Sequence, residues 1–142
     1  TDGIDTGSMV TFEEAFDLAV RSESMVYVVS QLKEYRAMAI AERARLQAHL
    51  QLVPDILKDD YIMKMERSLK RLAEMTGGRV LDASGYQSLV DAYDQVAEEL
   101  KNQYYLSYIP TNKNHDGSWH EIRVEVDRGG VVVRTRPGYF AQ

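Results

Sequence analysis

Residues 25–29 are Met25-Val26-Tyr27-Val28-Val29, and this run decides the fold class of the 142-residue chain. It is short, apolar and rich in β-branched side chains, and polar residues do not alternate with apolar ones. Such a run is typical of a strand that is covered on both faces, as in a parallel sheet. Helical patterns lie on both sides of it in the sequence, and that order predicts an α/β architecture.

A helix is predicted directly before this strand. Thr11 is followed three residues later by Glu14, which is the pattern of a capping box at a helix start. Phe12 and Phe16 then recur at helical spacing, so the helix should extend from about residue 11 to residue 21. Loop, helix and buried strand together form the first predicted α/β unit.

A long helical pattern follows the strand, over residues 33–57. Its apolar stripe consists of Ala39, Leu46, Leu50, Val53 and Leu57. Pro54 would kink or end the helix, because proline lacks the amide hydrogen and its ring clashes with the preceding turn. Two interpretations stay open: the stripe packs on the chain's own core, or Leu46 and Leu50 form a surface for a partner.

A second α/β unit is predicted from residue 59 onwards. Asp59 or Asp60 could cap its helix. The inner stripe of that helix is predicted to be Ile62, Met65, Leu69, Leu72 and Thr76. Gly77-Gly78 should end the helix, with one glycine in the left-handed conformation, and residues 79–82 should form a short strand.

The helix of a third unit should cover residues 86–102. Ser84 and Gln87 have the spacing of a second capping box in front of it. Leu89, Tyr93, Val96 and Leu100 recur at helical intervals. The α/β part of the chain is therefore predicted to span residues 1–103.

Beyond residue 103 the pattern changes to strands. Residues 104–109 are aromatic and β-branched, residues 119–126 alternate between apolar and charged, and residues 131–135 follow an Asp-Arg-Gly-Gly turn signal. These features predict an antiparallel meander with one solvent-facing side. Residues 104–142 are therefore expected to extend the sheet as part of the same structural unit.

Composition excludes several classes of function. A net charge of −5 argues against an electrostatic nucleic-acid binder, which needs a basic face. With no cysteine, the chain has no disulfide, thiol nucleophile or thiolate zinc site. No run of about 18 apolar residues is present, so no membrane span is predicted. No nucleophile, base and orienting group can be assembled from the sequence, so we expect a non-enzymatic protein.

The opening residues Thr1-Asp2-Gly3-Ile4-Asp5-Thr6-Gly7-Ser8 combine carboxylates, hydroxyls and glycines directly before the first helix. Carboxylate and hydroxyl oxygens are ligands that Mg²⁺ and Ca²⁺ prefer. The same composition also suits a polar turn that leads into a helix cap. His115 and His120 fit no two-histidine metal motif, and they are expected to be an ordinary loop and strand-face histidine.

An ordered set of motifs resembles the later half of a von Willebrand factor A domain. The set begins with Thr1-Asp2-Gly3 and the strand at residues 25–29, continues with Thr76-Gly77-Gly78-Arg79, and ends with residues 103–110, residues 119–124 and Arg136-Pro137-Gly138-Tyr139. It is most similar to the VWFA-related domains of acidobacteria, and the similarity covers nearly the whole chain. The helical stretch at residues 33–57 is the least similar part.

The resemblance implies a partial doubly wound, Rossmann-like sheet with the antiparallel extension described above. It also implies a metal-ion-dependent adhesion site at the carboxyl ends of the strands, where Mg²⁺ or Ca²⁺ accepts a carboxylate from a protein partner. Asp2 matches the aspartate that the family contributes from its Thr-Asp-Gly loop. Asp5 and Ser8 are possible additional contacts in the same loop. The family analogy places the protein outside the cytoplasm.

This sequence departs from the family pattern in one respect that matters. The Asp-x-Ser-x-Ser loop is absent from the chain, and the threonine ligand of the second loop cannot be located. Both are expected upstream of Thr1. One carboxylate does not satisfy the six or more oxygens that these cations require, so we expect the chain alone not to bind the metal tightly.

Two functions are therefore predicted. The first is an adhesion-type binding module whose metal site is completed in a longer protein. The alternative is a structural or assembly domain with a degenerate metal site, which associates through the helix at residues 33–57 or through an open sheet edge. The strand at residues 25–29 is expected to have such an edge, which would allow a homo-oligomer to form.

Overall fold

The structure is a computed structural model, and it describes residues 7–49 and 52–141. Within these ranges the helices are α1 (Phe12–Arg21), α2 (Leu32–Ala48), α3 (Asp59–Met75) and α4 (Tyr86–Lys101), with a 3-10 helix at Asp55–Leu57. The strands are β1 (Val28–Ser30), β2 (Val80–Asp82), β3 (Trp119–Glu121) and β4 (Gly138–Phe140). The mixed helix and strand content confirms the predicted α/β class in its general form.

β1 and β2 form a parallel pair, with Val28 opposite Val80 and Ser30 opposite Asp82. This pairing confirms a parallel strand in the predicted region, but the strand begins only at Val28 and extends to Ser30, so residues 25–27 lie before it. On one face of the pair, Val28 packs into a buried cluster with Leu32 and with side chains of α3. Those α3 residues are Met65, Leu69 and Ala73.

The other face of the pair lies against α4, which contacts both strands. Successive strand residues point to opposite faces, so Tyr27 faces away from the Val28 cluster. Its hydroxyl lies near Glu99 of α4, and burial and that carboxylate raise the pKa of Tyr27. Helices on both faces explain why the β1 sequence is almost wholly apolar.

The Thr76-Gly77-Gly78 segment fixes the entry into β2. Gly77 has a φ of 82° and ends α3 in the left-handed conformation, as predicted. A Cβ on Gly78 would lie 2.1 Å from the carbonyl oxygen of Val26, so only glycine fits there. The Thr76 hydroxyl accepts a hydrogen bond from the amide of Val26 at 3.1 Å, which ties the end of α3 to the segment directly before β1.

β3 and β4 form an antiparallel pair in which Trp119 lies opposite Phe140 and Glu121 opposite Gly138. The Trp119 and Phe140 rings meet edge to face, with centroids 5.1 Å apart. A Cβ on Gly138 would lie 2.4 Å from both the carbonyl oxygen of His120 and the indole ring of Trp119. Glycine at position 138 therefore allows the two strands to approach.

The predicted meander differs from this arrangement. Residues 104–109 and 131–135 are not strands, and the strand predicted at residues 119–126 is limited to β3. The partner of β3 is β4, at the Arg-Pro-Gly-Tyr-Phe end of the chain. Valine-rich sequence favours a strand only where a neighbouring strand and a covered face are available, and Val132 is 79% exposed.

The helix predicted over residues 33–57 is also shorter than expected. α2 ends at Ala48, and after it the chain forms the 3-10 helix at Asp55–Leu57, which contacts both α2 and α3. The residue before a proline is disfavoured in helical geometry, so the helix cannot run on through Pro54. Two predicted caps were wrong. Lys58 precedes α3, so Asp59 and Asp60 both lie in the first turn instead of capping it. Gly85 precedes α4, and Ser84 does not cap that helix.

Candidate functional site

The carboxyl ends of β1 and β2 lie at one edge because the strands are parallel. Ser30 ends β1 and Asp82 ends β2, and α2 and α4 begin within a few residues of them. The Ser30 hydroxyl accepts a hydrogen bond from the amide of Leu32 at 3.2 Å, and the Ser30 carbonyl accepts one from Ala83 at 2.8 Å. Ligands of open α/β sheets bind in the crevice outside such an edge.

Asp82 is the carboxylate of this edge, and two neighbours hold it. The ammonium group of Lys33, from the first turn of α2, donates a hydrogen bond to Oδ2, and the Ser84 hydroxyl donates one to Oδ1 at 2.7 Å. The hydrogen bond from Lys33, followed by that from Ser84, lowers the pKa of Asp82. Lys33, Asp82, Ser84 and Ser30 are called the strand-end cluster below.

The strand-end cluster does not fit a divalent cation by itself. Its single carboxylate is already bound by an ammonium group, and the Ser84 hydroxyl points its hydrogen at the same carboxylate. Within residues 7–49 and 52–141, no group of three or more histidine, aspartate or glutamate side chains is placed to hold a metal. Mg²⁺ and Ca²⁺ each need six or more oxygen ligands, so further ligands would have to come from elsewhere.

The site residues predicted from the sequence are only partly covered by the structure. Asp2 and Asp5 lie outside the described residues, and so does Leu50. Ser8 is exposed in the segment before α1. Leu46 is half-buried on α2, which packs against α3 and the 3-10 helix. The structure therefore leaves the predicted metal ligands and the predicted partner surface as predictions.

A second candidate site is a cleft of about 500 Å³ between the end of α1, residues 109–115 and the β3–β4 pair. Its walls include Arg21, Lys113, Arg136, His120 and Tyr139. Arg136 lies beside Gly77, in the turn between α3 and β2, and it also contacts Glu23, in the segment between α1 and β1. The cleft is therefore near the amino ends of the parallel strands, away from the strand-end cluster.

Two contacts orient Arg21 in this cleft. Its guanidinium group lies 4.1 Å from the centre of the Phe140 ring, and its Nε donates to Asp17 at 2.8 Å. An arginine stacked on an aromatic ring keeps its planar group in one orientation. The contact with Asp17 uses only Nε, so the two terminal amino groups of Arg21 are not needed for that ion pair.

Glu23 adopts a strained backbone conformation in the same wall. Its φ is 59°, a value that residues other than glycine adopt uncommonly. Arg136 fixes it twice, because Nη2 donates to the Glu23 carbonyl at 3.0 Å and Nη1 lies 3.4 Å from its carboxylate. Strain of this kind persists only where the surroundings hold it, and it is concentrated at ligand sites.

A hydrogen-bonded network forms the β-strand side of the cleft. His120 Nδ1 lies 3.2 Å from the Tyr139 hydroxyl, and the two rings pack edge to face. A hydrogen bond with Tyr108 raises the pKa of Tyr139. His120 is thus a strand-face histidine, as expected from the sequence, and it is tied to the aromatic end of the chain.

Sequence reasoning did not find this cleft. Its walls come from four separate segments, and no motif links Arg21 with Lys113 or Tyr139. The aromatic pair Tyr139-Phe140 is the one local feature of the sequence that lies in the cleft wall, and it does not by itself indicate a ligand.

Comparison with known proteins identifies no relative. No family model, curated protein or solved structure matches the chain. Among the described residues, no helix is long and apolar enough to cross a membrane.

Proposed function

We propose that the chain is a non-enzymatic, adhesion-type binding module, and that it presents the carboxyl ends of β1 and β2 to a protein partner. The observation that supports this is the strand-end cluster. Two parallel strands and the starts of α2 and α4 bring Ser30, Lys33, Asp82 and Ser84 to one edge. Asp82 and Lys33 are 43% and 75% exposed, so a partner can reach both.

We propose that a divalent cation, Mg²⁺ or Ca²⁺, is bound only in a longer protein that contains this chain. Asp2 would supply one carboxylate, with Asp5 and Ser8 nearby in the sequence, and the remaining ligands would come from upstream of Thr1. An open coordination position on such a cation would accept a carboxylate from the partner. An extracytoplasmic location is part of the same proposal.

The test uses the longest natural form of the protein that contains this chain. This protein is immobilised on a surface and used to capture partners from an extracellular extract. The capture is carried out with and without a chelator in the buffer. We expect one partner to be retained, to be released by the chelator, and to be lost when Asp2→Ala is introduced. Asp91→Ala, an exposed aspartate on α4, is the matched control and should retain the partner.

Partner binding that survives both the chelator and Asp2→Ala would contradict the metal-dependent part of the proposal. Binding that also survives Ser84→Ala and Asp82→Asn would contradict the assignment of the strand-end cluster as the contact edge.

Assembly through the strands or α2 is the second candidate function, and two observations favour it. In the described part of the chain, β1 and β2 pair only with each other, so each has one edge without a neighbouring strand. Met38 and Ile40 are 69% and 50% exposed on α2. Open edges and exposed apolar side chains both promote association with a further chain.

Light scattering across a range of concentrations distinguishes the two functions. Assembly predicts a dimer that Met38→Glu weakens if α2 is the interface, whereas Lys64→Glu on α3 should have no effect. A monomer at all concentrations would rule out self-association. Leu46→Glu is a less suitable variant because Leu46 is half-buried and a charge there threatens folding.

A further inference from the structure

We infer that the cleft between α1, residues 109–115 and the β3–β4 pair binds an organic carboxylate, a carboxylate group attached to an apolar or aromatic body. This inference does not rest on the strand-end cluster or on a metal. It rests on the charges, the fixed arginine and the apolar wall of the cleft.

The cleft is basic although the chain is acidic. Three cationic side chains, Arg21, Lys113 and Arg136, line it together with one carboxylate, Glu23, whereas the whole chain has a net charge of −5. Arg136 forms an ion pair with Glu23 and Arg21 forms one with Asp17, whereas Lys113 has no ion-pair partner among the residues that the structure describes. A concave basic surface of this kind concentrates anions.

Arg21 and Lys113 are the groups that would contact the anion. Stacking on Phe140 and the bond from Nε to Asp17 fix the plane of the Arg21 guanidinium. Its terminal amino groups can then donate to the two oxygens of one carboxylate, which is the geometry that arginine favours. Lys113 would add a second, more mobile charge from the opposite loop.

The remaining walls favour an organic ligand. Val20, Ile109 and Pro110 are apolar, and the Tyr139 and Phe140 rings lie beside them. A volume of about 500 Å³ is within the range of small-ligand pockets, which combine apolar walls with a few polar groups. Inorganic phosphate has no apolar part to pack against Val20, Ile109 and Pro110, whereas an organic carboxylate gains both the charge contacts and these apolar contacts.

Titration followed by amide NMR spectra tests the inference on the chain itself. The probe is N-acetylphenylalanine with a free carboxylate, and the matched probe is its uncharged amide; inorganic phosphate is a third arm. We expect the carboxylate to shift amide signals of residues 20–23, 109–115 and 138–141 with saturation in about the millimolar range. The amide and phosphate should bind at least about tenfold more weakly.

Two variants and a control accompany the titration. Lys113→Gln should weaken carboxylate binding about threefold, and Arg21→Gln about tenfold. Lys113 is exposed in a loop, so its variant remains informative even if Arg21→Gln disturbs folding. Lys64→Gln removes the same charge from the exposed surface of α3 and should leave the affinity unchanged.

Three results would overturn the inference. The first is equal binding of the amide, which would show that charge is not recognised. The second is phosphate binding as tightly as the carboxylate at the same residues. The third is an unchanged affinity in Lys113→Gln together with an unchanged affinity in a folded Arg21→Gln.

Discussion

Lys33 in the first turn of α2 donates a hydrogen bond to the carboxylate of Asp82 at the end of β2. The contact joins two residues 49 positions apart and closes the edge where the parallel strands end. The carboxylate of the strand-end cluster is therefore already paired with the ammonium group of Lys33. Any cation or partner group that approaches Asp82 must compete with Lys33.

The pKa of Asp82 should depend on Lys33. In Lys33→Gln, the pKa of the Asp82 carboxyl group should rise toward its ordinary value, because the first cause of its depression is the Lys33 hydrogen bond. Carboxyl-detected NMR titration measures this directly. Lys64→Gln should leave the pKa of Asp82 unchanged, and an unshifted pKa in Lys33→Gln would contradict the contact.

The same pair predicts a pH dependence of stability. The pKa of Asp82 is lower in the folded chain than in the unfolded chain, so its contribution is present above about pH 4 and is lost as the pH falls through the folded value. Both side chains are well exposed, so the contribution should be below about 1 kcal/mol. The unfolding free energies of the parent chain and of Lys33→Gln, measured in urea, should differ at pH 7 and converge once the pH has fallen below the folded pKa of Asp82. A difference that grows as the pH falls would have the wrong sign.

Gly78→Ala should destabilise the chain by about 1–3 kcal/mol, because the added Cβ collides with backbone and the strand must shift. That Cβ would lie 2.1 Å from the Val26 carbonyl oxygen. Urea unfolding monitored by circular dichroism measures the loss. Gly129→Ala is the control, since no atom lies within 4 Å of its added Cβ, and it should change stability by less than about 0.5 kcal/mol. Equal stability of the two variants would show that the segments directly before β1 and β2 are not in this contact.

Thr11→Ala should cost about 1 kcal/mol of unfolding free energy, because it removes the capping box of α1. The Thr11 amide donates to Glu14 at 2.7 Å, and the Glu14 amide donates to the Thr11 hydroxyl at 3.3 Å. Thermal unfolding is the measurement. Thr111→Ala, at an exposed loop position, should leave the midpoint unchanged, and a similar loss in both variants would argue against a specific cap.

Local signals predicted much of the α/β part of the chain. The Thr11 capping box and the helix end at Gly77 are confirmed, because each depends on residues that are close in sequence. The strand predicted at residues 25–29 is present, but it is displaced to Val28–Ser30. The inner stripe of α3 was also predicted well, since Ile62 and Leu69 are both buried. The spacing of apolar residues along a helix predicts which face of the helix packs against the core.

The C-terminal region was predicted less well because its strands depend on distant partners. Residues 131–135 have a suitable composition, yet β3 pairs with β4 through the close approach at Gly138. Similarly, Ser84 has the spacing of a cap, but its hydroxyl donates to Asp82 instead. A side chain such as this can bond either to a nearby backbone group or to a different side chain, and sequence spacing alone does not predict which bond forms.

The candidate sites also differ in how far the sequence predicted them. A short motif pointed to Asp2, whereas the strand-end cluster and the basic cleft arise only when separate elements meet. The ion pair between Lys33 and Asp82 could not be predicted from the sequence, because the two residues share no motif.

Calorimetric titration of Mg²⁺ and Ca²⁺ into the chain tests most directly whether the binding edge needs ligands from outside this sequence. Because Lys33 holds the single carboxylate of the strand-end cluster, we expect no saturable binding in the micromolar range for either cation. Micromolar or tighter binding, lost in Asp82→Asn or Asp2→Ala, would contradict the account, because it would show that this chain alone completes a cation site.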